Sequence, residues 1–214
     1  VSHFTLALKR KEILRDYIKA ALYNPQLGYF TNPQNIQLGQ LAVPIRFSNL
    51  LGYSDYTQEL AQNYPKHKFL TPSEIFRPYY GMTMARYIQS THKSKGREAN
   101  INVVEIGSGL GGQADAFLTY FQQFAPDMYA NVTYTLLEIS PALIAQSKNL
   151  LQQNHKEKCN RGEIKFVNQD AFAFDKKMCA NTYFMMFEIL DNMPHDCVKF
   201  GPQCEDAEEM WMLS

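Results

Sequence analysis

The stretch INVVEIGSGLGGQADAFL, residues 101–118, most constrains what this chain can fold into. An apolar run climbs to an acid, breaks into four glycines within six residues, and continues as a helical pattern. Such a loop turns the backbone sharply out of a strand and into a helix, so it predicts a β-loop-α unit. The alternation continues downstream. Residues 132–138 (VTYTLLE) predict a strand, and Ser140-Pro141 predict a helix start, with serine capping and proline in the first turn. Residues 163–167 (EIKFV) and 182–187 (TYFMMF) predict two more strands. Strands joined by helical crossovers pair in parallel, so residues 99–214 are expected to form an α/β, Rossmann-like core.

The glycine loop lies at the carboxyl end of its strand, where open α/β sheets take their ligands. Gly107, Gly109 and Gly111 allow close approach to a ligand, and the following helix offers unpaired N–H groups. Gly107, Gly109 and Gly112 also satisfy GxGxxG. A dinucleotide, and with it an oxidoreductase, is therefore one reading; a loop that only packs strand on helix is another. Three acids narrow the choice. Glu105 ends the first strand, Glu138 ends the second, and Asp170 follows the third in NQDAF. Glu138 can accept both hydroxyls of a ribose, and Asp170 can accept from an adenine amino group. Glu105 would repel a pyrophosphate but suits the ammonium of a methionine group. The set favours S-adenosylmethionine over a dinucleotide. Glu138 and Asp170 also suit capping of the helices that follow them.

At 45% hydrophobic, 214 residues can bury a real core. Lys+Arg and Asp+Glu balance at 21 each, so nothing global draws the chain to nucleic acid or membrane. The basic clusters, His92 to Arg97 and Lys9 to Lys11, read as solvated turns or helix ends. The four cysteines show no CxxC spacing, so no metal site is expected and a reducing compartment is the default. No apolar run approaches the ~20 residues of a membrane-spanning helix. The chain starts at Val1 rather than Met, which is consistent with a removed or omitted targeting segment. Upstream of the core, residues 8–23 predict an amphipathic helix stopped by NPQLGYF, and residues 31–65 show no strong period. TPSE at 71–74 predicts a helix start with a Thr71–Glu74 capping box, continuing to Tyr87 with a kink at Pro78. Residues 1–98 are thus expected to be a helical and loop segment covering the site.

Several stretches together resemble the MidA-like methyltransferases. They are DYIKAALYNPQLGYF, FLTPSEIFRPYYGMTMARYI, VVEIGSGLGG, YTLLEISPALIAQS and FEILDNMPHD, in the family's order. The resemblance covers most of residues 16–196. It implies a class I methyltransferase fold, with S-adenosylmethionine held by Glu105, Gly107, Gly109, Gly111 and Glu138 and with Thr71 and Glu74 closing over it. It further implies that Glu188 and Asp191, in E-x-x-D-x-x-P ending at Pro194, line the substrate side. A carboxylate there could orient a guanidinium bidentately. The same two acids also suit helix capping. The mitochondrial member of the family is an arginine methyltransferase needed to assemble respiratory complex I. The resemblance therefore implies protein arginine methylation, a protein substrate or assembly partner, and residence in the mitochondrial matrix.

The chain departs from the family pattern at several positions. His67-Lys68 stand where Gly-Asp usually precedes the phenylalanine of FxTxPE, and that motif's proline has moved to Pro72, with Ser73 before Glu74. Ser108 replaces a loop proline, Ala116 stands where an aspartate is usual, beside Asp115, and Phe187 replaces Asn or His before Glu188. The family's chain also continues well past E-x-x-D-x-x-P. Here CVKFGPQCEDAEEMWMLS follows, enough for a small hairpin. The sheet is thus expected to be incomplete at its C-terminal side, leaving the fourth strand's outer edge for further chain or a partner. Trp211 and Met212 suit such a contact or ordinary packing. These departures keep a second function open: a catalytically inactive assembly factor or structural subunit that retains the fold in a larger mitochondrial complex.

Overall fold

The computed structural model describes residues 12–33, 38–96, 100–175, 177, 181–200, 207–209 and 211–212. In chain order its first elements are β1 (Glu12–Ile13), α1 (Leu14–Tyr23), α2 (Tyr53–Asn63), α3 (Pro72–Ile75) and α4 (Tyr79–Ser94). Then come β2 (Ile101–Ile106), α5 (Gly112–Phe124), α6 (Pro126–Tyr129), β3 (Val132–Glu138), α7 (Pro141–Asn154) and α8 (Lys156–Asn160). The last are β4 (Ile164–Asn168), β5 (Thr182–Met186), β6 (Val198–Phe200), β7 (Ala207–Glu209) and β8 (Trp211–Met212). The chain divides into two compact units, residues 37–187 and residues 1–36 with 188–214.

The larger unit is built on a parallel sheet in the order β4-β3-β2-β5. Val103 pairs with Tyr134 on one side and Tyr183 on the other, and Leu136 pairs with Phe166. Alternate residues of the strands, Ile101, Val103, Tyr134, Leu136 and Met185, enter one core with Phe117 and Phe121 of α5 and Ala85 and Ile88 of α4. Burying those two phenylalanines fully contributes roughly 2–3 kcal/mol each before entropy is counted. The opposite register positions of β5, Phe184 and Met186, stay about half exposed. Among the described residues, β5 pairs only with β2, so the expected open edge is present. The α/β sheet with crossover helices is the class I methyltransferase-like fold that the sequence predicts.

Residues 37–98 belong to the same unit as the sheet, because α4 packs along α5 and α3 against its start. The expected boundary at residue 98 is therefore not where the chain divides. Within residues 31–65, read as irregular, α2 forms an 11-residue helix. It buries no residue fully; Tyr56 and Leu60 only flank a small core of Leu41, Ile45 and Leu70, which is why no apolar stripe marked it. Pro78 does not kink a continuous helix but separates α3 from α4. The capping box does not form either: the Thr71 hydroxyl pairs with that of Ser73 at 2.9 Å, and Glu74 turns inward.

In the smaller unit, β1 pairs antiparallel with β8, and β6 with β7, the hairpin expected at the end of the chain. The helix expected from residue 8 begins at Leu14, because Glu12 and Ile13 are extended and paired with Met212 and Trp211; residues 8–11 lie outside the described ones. The Arg15 guanidinium meets the Asp196 carboxylate at 2.8 Å, and the Tyr23 hydroxyl donates to the Asn192 carbonyl at 2.6 Å. No described helix is long and apolar enough to cross a membrane.

Candidate functional site at the glycine loop

Between β2 and α5 the backbone takes positive φ three times, at Gly107 (70°), Gly109 (53°) and Gly111 (81°). L side chains rarely adopt that region. At Gly111 space is closed as well: a Cβ there would stand 2.7 Å from the Ser147 Cβ of α7. At Gly109 space is open, the nearest atom to such a Cβ being Leu38 Cδ1 at 4.0 Å. One glycine thus seats the loop on a helix, while the other faces a gap.

Glu138, the last residue of β3, locks onto this loop. Its Oε2 accepts the Gly109 N–H at 2.9 Å and its Oε1 accepts the Ser140 N–H at 2.9 Å. Lone pairs remain on this carboxylate for another donor. Burial raises the carboxyl above its usual range, opposed by the N–H groups of Ser140, Gly109 and Ile139. Ser140 also caps α7, accepting from the Leu143 N–H at 3.4 Å, as its sequence position predicts. Asn168, which sequence reasoning did not single out, donates from its side chain to the Glu138 and Ile139 carbonyls and so ties the end of β4 to the end of β3.

Glu105 is buried at the end of β2, 4% exposed, and its Oε2 accepts from the Tyr134 hydroxyl at 2.8 Å. Burial pushes its carboxyl up to about 8, with the Glu138 charge adding and the Tyr134 hydrogen bond opposing. Glu74 comes in from α3 and reaches the first turn of α5, its Oε2 standing 3.0 Å from where a Cβ on Gly112 would lie. Burial raises it to about 7, opposed by the Arg77 guanidinium, 3.4 Å away, and by the Leu41 N–H. Arg77 also donates to the Leu41 carbonyl at 3.3 Å.

Among the described residues, five buried side-chain polar atoms have no hydrogen-bond partner, and four belong to this region: Ser108 Oγ, both amide atoms of Gln113, and Glu74 Oε1, which has only its ion pair with Arg77. Buried polar groups are ordinarily paired, so such a cluster marks a place for a polar ligand. With the gap at Gly109 and the spare lone pairs of Glu138, these residues fit a nucleoside carrying a charged, hydrogen-bonding tail.

Glu74, Glu105, Glu138 and the glycines thus lie in one unit around one loop. Thr71 starts α3, but its hydroxyl is turned to Ser73. Asp170 is exposed and accepts the Phe172 N–H at 2.9 Å, capping the turn after β4, so one oxygen serves the capping alternative and the other stays open. Glu188 and Asp191 belong to the smaller unit. Both are exposed, Glu188 at φ 54°; partial burial and the Asp191 charge raise the Glu188 carboxyl. Tyr134, Arg77, Gln113 and Ser108 are members of the site that sequence reasoning missed as such. Tyr134 carries a legible signal, a hydroxyl in an otherwise apolar inward face of a strand. No group of three or more His, Cys, Asp or Glu that could hold a metal ion occurs among the described residues.

Residues 83–212 match the family described as "Putative S-adenosyl-L-methionine-dependent methyltransferase". Among solved structures, a Burkholderia thailandensis protein provisionally described as a methyl transferase, and bound to S-adenosyl-homocysteine, is 17% identical with a TM-score of 0.53, over 94% of this chain and 46% of that one. A second structure, of a protein from the same organism described as uncharacterised, is 15% identical with a TM-score of 0.49, over 94% of this chain and 44% of that one. The chain therefore spans about half the length of the structures it matches. No curated protein matches it. The family match covers more than half of the 214 residues and includes the glycine loop, Glu105 and Glu138. The chain belongs to this family of S-adenosylmethionine-dependent methyltransferases, whose cofactor is the one its strand-end acids favour.

Proposed function

We propose that this chain binds S-adenosylmethionine at the glycine loop and forms part of a protein arginine methyltransferase of the MidA-like type, acting in the mitochondrial matrix during assembly of a respiratory complex. The observation that carries the cofactor reading is the junction of Glu138 with Gly109, surrounded by unpaired polar atoms. Bound there, the cofactor supplies an electrophilic methyl group. Glu138 would accept the ribose hydroxyls, Glu105 the ammonium, and the open face of Gly109 would leave room for the chain between them. Asp170 has an oxygen left for the adenine amino group. Methyl transfer needs alignment and exclusion of water more than a strong base. Glu188 and Asp191 would hold a substrate guanidinium in a fixed plane.

Isothermal titration of S-adenosylmethionine into the purified chain tests this reading, with Gly109→Val and Glu138→Ala as controls. Micromolar binding that both substitutions weaken by roughly 10-fold or more supports it; absence of binding by a folded chain defeats it. Recovery of an epitope-tagged chain in the matrix fraction tests the location.

One observation favours the second reading, an inactive assembly factor or structural subunit. Phe187, standing where the family has a polar residue, packs edge-on against Tyr80 with ring centroids 5.3 Å apart. The position thus contributes packing rather than a hydrogen bond beside Glu188. Cofactor binding without methyl transfer to any arginine-containing protein of a mitochondrial extract would select that reading.

A further inference from the structure

Glu105 is the most enclosed acid of the site, and among the described residues it forms no ion pair. The elements packed on this part of the sheet offer it no cation. β3 brings the Tyr134 hydroxyl, 2.8 Å away, and the Glu138 carboxylate. β5 brings Met185, opposite in register and uncharged. The start of α5 carries uncharged Gln113 and then Asp115, which is bonded to Asn154 and lies 3.3 Å from His155 Nε2. α3 brings Glu74, paired with Arg77, and on α4 His92 is engaged with Tyr183. None of these places a cation on Glu105. A carboxyl in such surroundings keeps its proton: burial and the Glu138 charge hold it at about 8, and the Tyr134 hydrogen bond alone pulls the other way.

We infer that the Tyr134–Glu105 pair couples binding of the cofactor's amino-acid end to release of a proton, with Glu105 neutral in the empty site and charged against the ligand ammonium. The step is an acid dissociation. The Glu105 O–H bond breaks, the proton leaves to solvent, and the carboxylate so formed pairs with an ammonium that keeps its three hydrogens. No other bond changes. The ammonium supplies the counter-charge that the fold withholds, so charging Glu105 in a buried place becomes favourable only when ligand is present. Tyr134 is a positioning residue: by donating to Oε2 it leaves Oε1 to face the ligand and sets the pH at which the proton is lost. This inference rests on the cofactor reading above and deepens it.

The test is calorimetric titration of S-adenosylhomocysteine at pH 7 in buffers of different ionisation enthalpy, in which the dependence of heat on buffer gives the protons released. About one proton is expected at pH 7; toward pH 9 release falls and turns to uptake, because Glu105 is then already charged and part of the ligand's amino group must gain the proton that makes it an ammonium. 5′-Methylthioadenosine, the same nucleoside without the amino-acid end, should release none. Glu105→Gln should abolish release with S-adenosylhomocysteine. Tyr134→Phe should shift the midpoint of the release profile to higher pH, a change that a purely structural role for Tyr134 would not produce. Binding of S-adenosylhomocysteine without proton release overturns the inference and leaves the cofactor reading intact. Equal release with both nucleosides, or release that survives Glu105→Gln, also overturns it and moves the proton to another group such as Glu138. Binding of neither nucleoside to a folded chain overturns the cofactor reading, and the inference with it.

Discussion

Glu138 Oε2 accepts the Gly109 N–H at 2.9 Å, so the acid that ends one strand fixes the loop that ends its neighbour. A carboxylate held by two backbone N–H groups cannot swing away, and its remaining lone pairs have fixed directions. Glu138→Ala removes both acceptors and leaves two donors in a buried place. We expect a loss of about 2 kcal/mol in chemical denaturation. A nucleoside whose hydroxyls bonded this carboxylate should bind roughly 10- to 100-fold more weakly by titration.

Gly109 and Gly111 differ in what surrounds them, and alanine should separate their roles. Gly111→Ala adds left-handed strain and a clash with Ser147 at 2.7 Å, so urea unfolding should show a loss of about 3 kcal/mol. Gly109→Ala adds the strain alone, about 1 kcal/mol. Its methyl group enters the open gap, however, so it should weaken nucleoside binding more than it weakens the fold. Equal effects at both positions would mean that the gap takes no ligand.

Stability should fall as pH rises across the neutral range. Glu74 and Glu105 are held at about 7 and about 8 in the folded chain, against an ordinary 4.5. From about pH 4.5 to 8 the folded chain therefore binds more protons than the unfolded one, and folding free energy is lost as they leave, at up to about 1.4 kcal/mol per pH unit for each group. Above about 8 the loss stops. Glu105→Gln should flatten the part of the curve between 7 and 8, beyond the range of Glu74. Glu163 acts oppositely in a separate window: the Arg161 guanidinium holds it at about 2, so its contribution is lost only as pH falls below its ordinary range. Thermal melts of both proteins from about pH 2 to 9 measure these slopes.

What the sequence made legible was whatever had a period or a punctuation mark. β2, β3 and the start of α7 were predicted within a residue or so, and α5 follows the glycines as expected, because apolar strands, glycines and Ser140-Pro141 mark those points locally. α2 escaped because its stability comes from packing a few side chains beside Leu41, Ile45 and Leu70, which no helical stripe records. Thr71 and Glu74 matched a capping box, yet a buried ion pair with Arg77 competes for Glu74 and wins. Glu105 and Glu138 were readable as strand-end acids. Their states were not: the burial that keeps Glu105 protonated and the N–H groups that hold Glu138 are products of chain segments about 30 residues apart.

The ends of the sheet opposite the glycine loop, where β3 and β4 begin, hold a buried ion pair. Lys158 is buried there, donating from Nζ to the Val132 carbonyl at 2.8 Å and to Glu163 Oε2 at 2.6 Å, with its charge 4.6 Å from the centre of the Tyr129 ring. The two halves of this ion pair are unequal. Lys158→Met keeps the volume and removes the buried charge; Glu163 still meets the Arg161 guanidinium at 2.6 Å, so the main loss is a donor to Val132, about 1–3 kcal/mol. Glu163→Met instead strands a buried ammonium beside an uncharged side chain, a change that costs roughly 3–5 kcal/mol when a buried pair is broken from one side. Chemical denaturation should therefore rank Glu163→Met as the more damaging. Nucleoside affinity measured on either folded variant should be unchanged, since the glycine loop lies at the opposite ends of the strands. Similar losses in both variants would mean that water reaches Lys158 once its partner is gone.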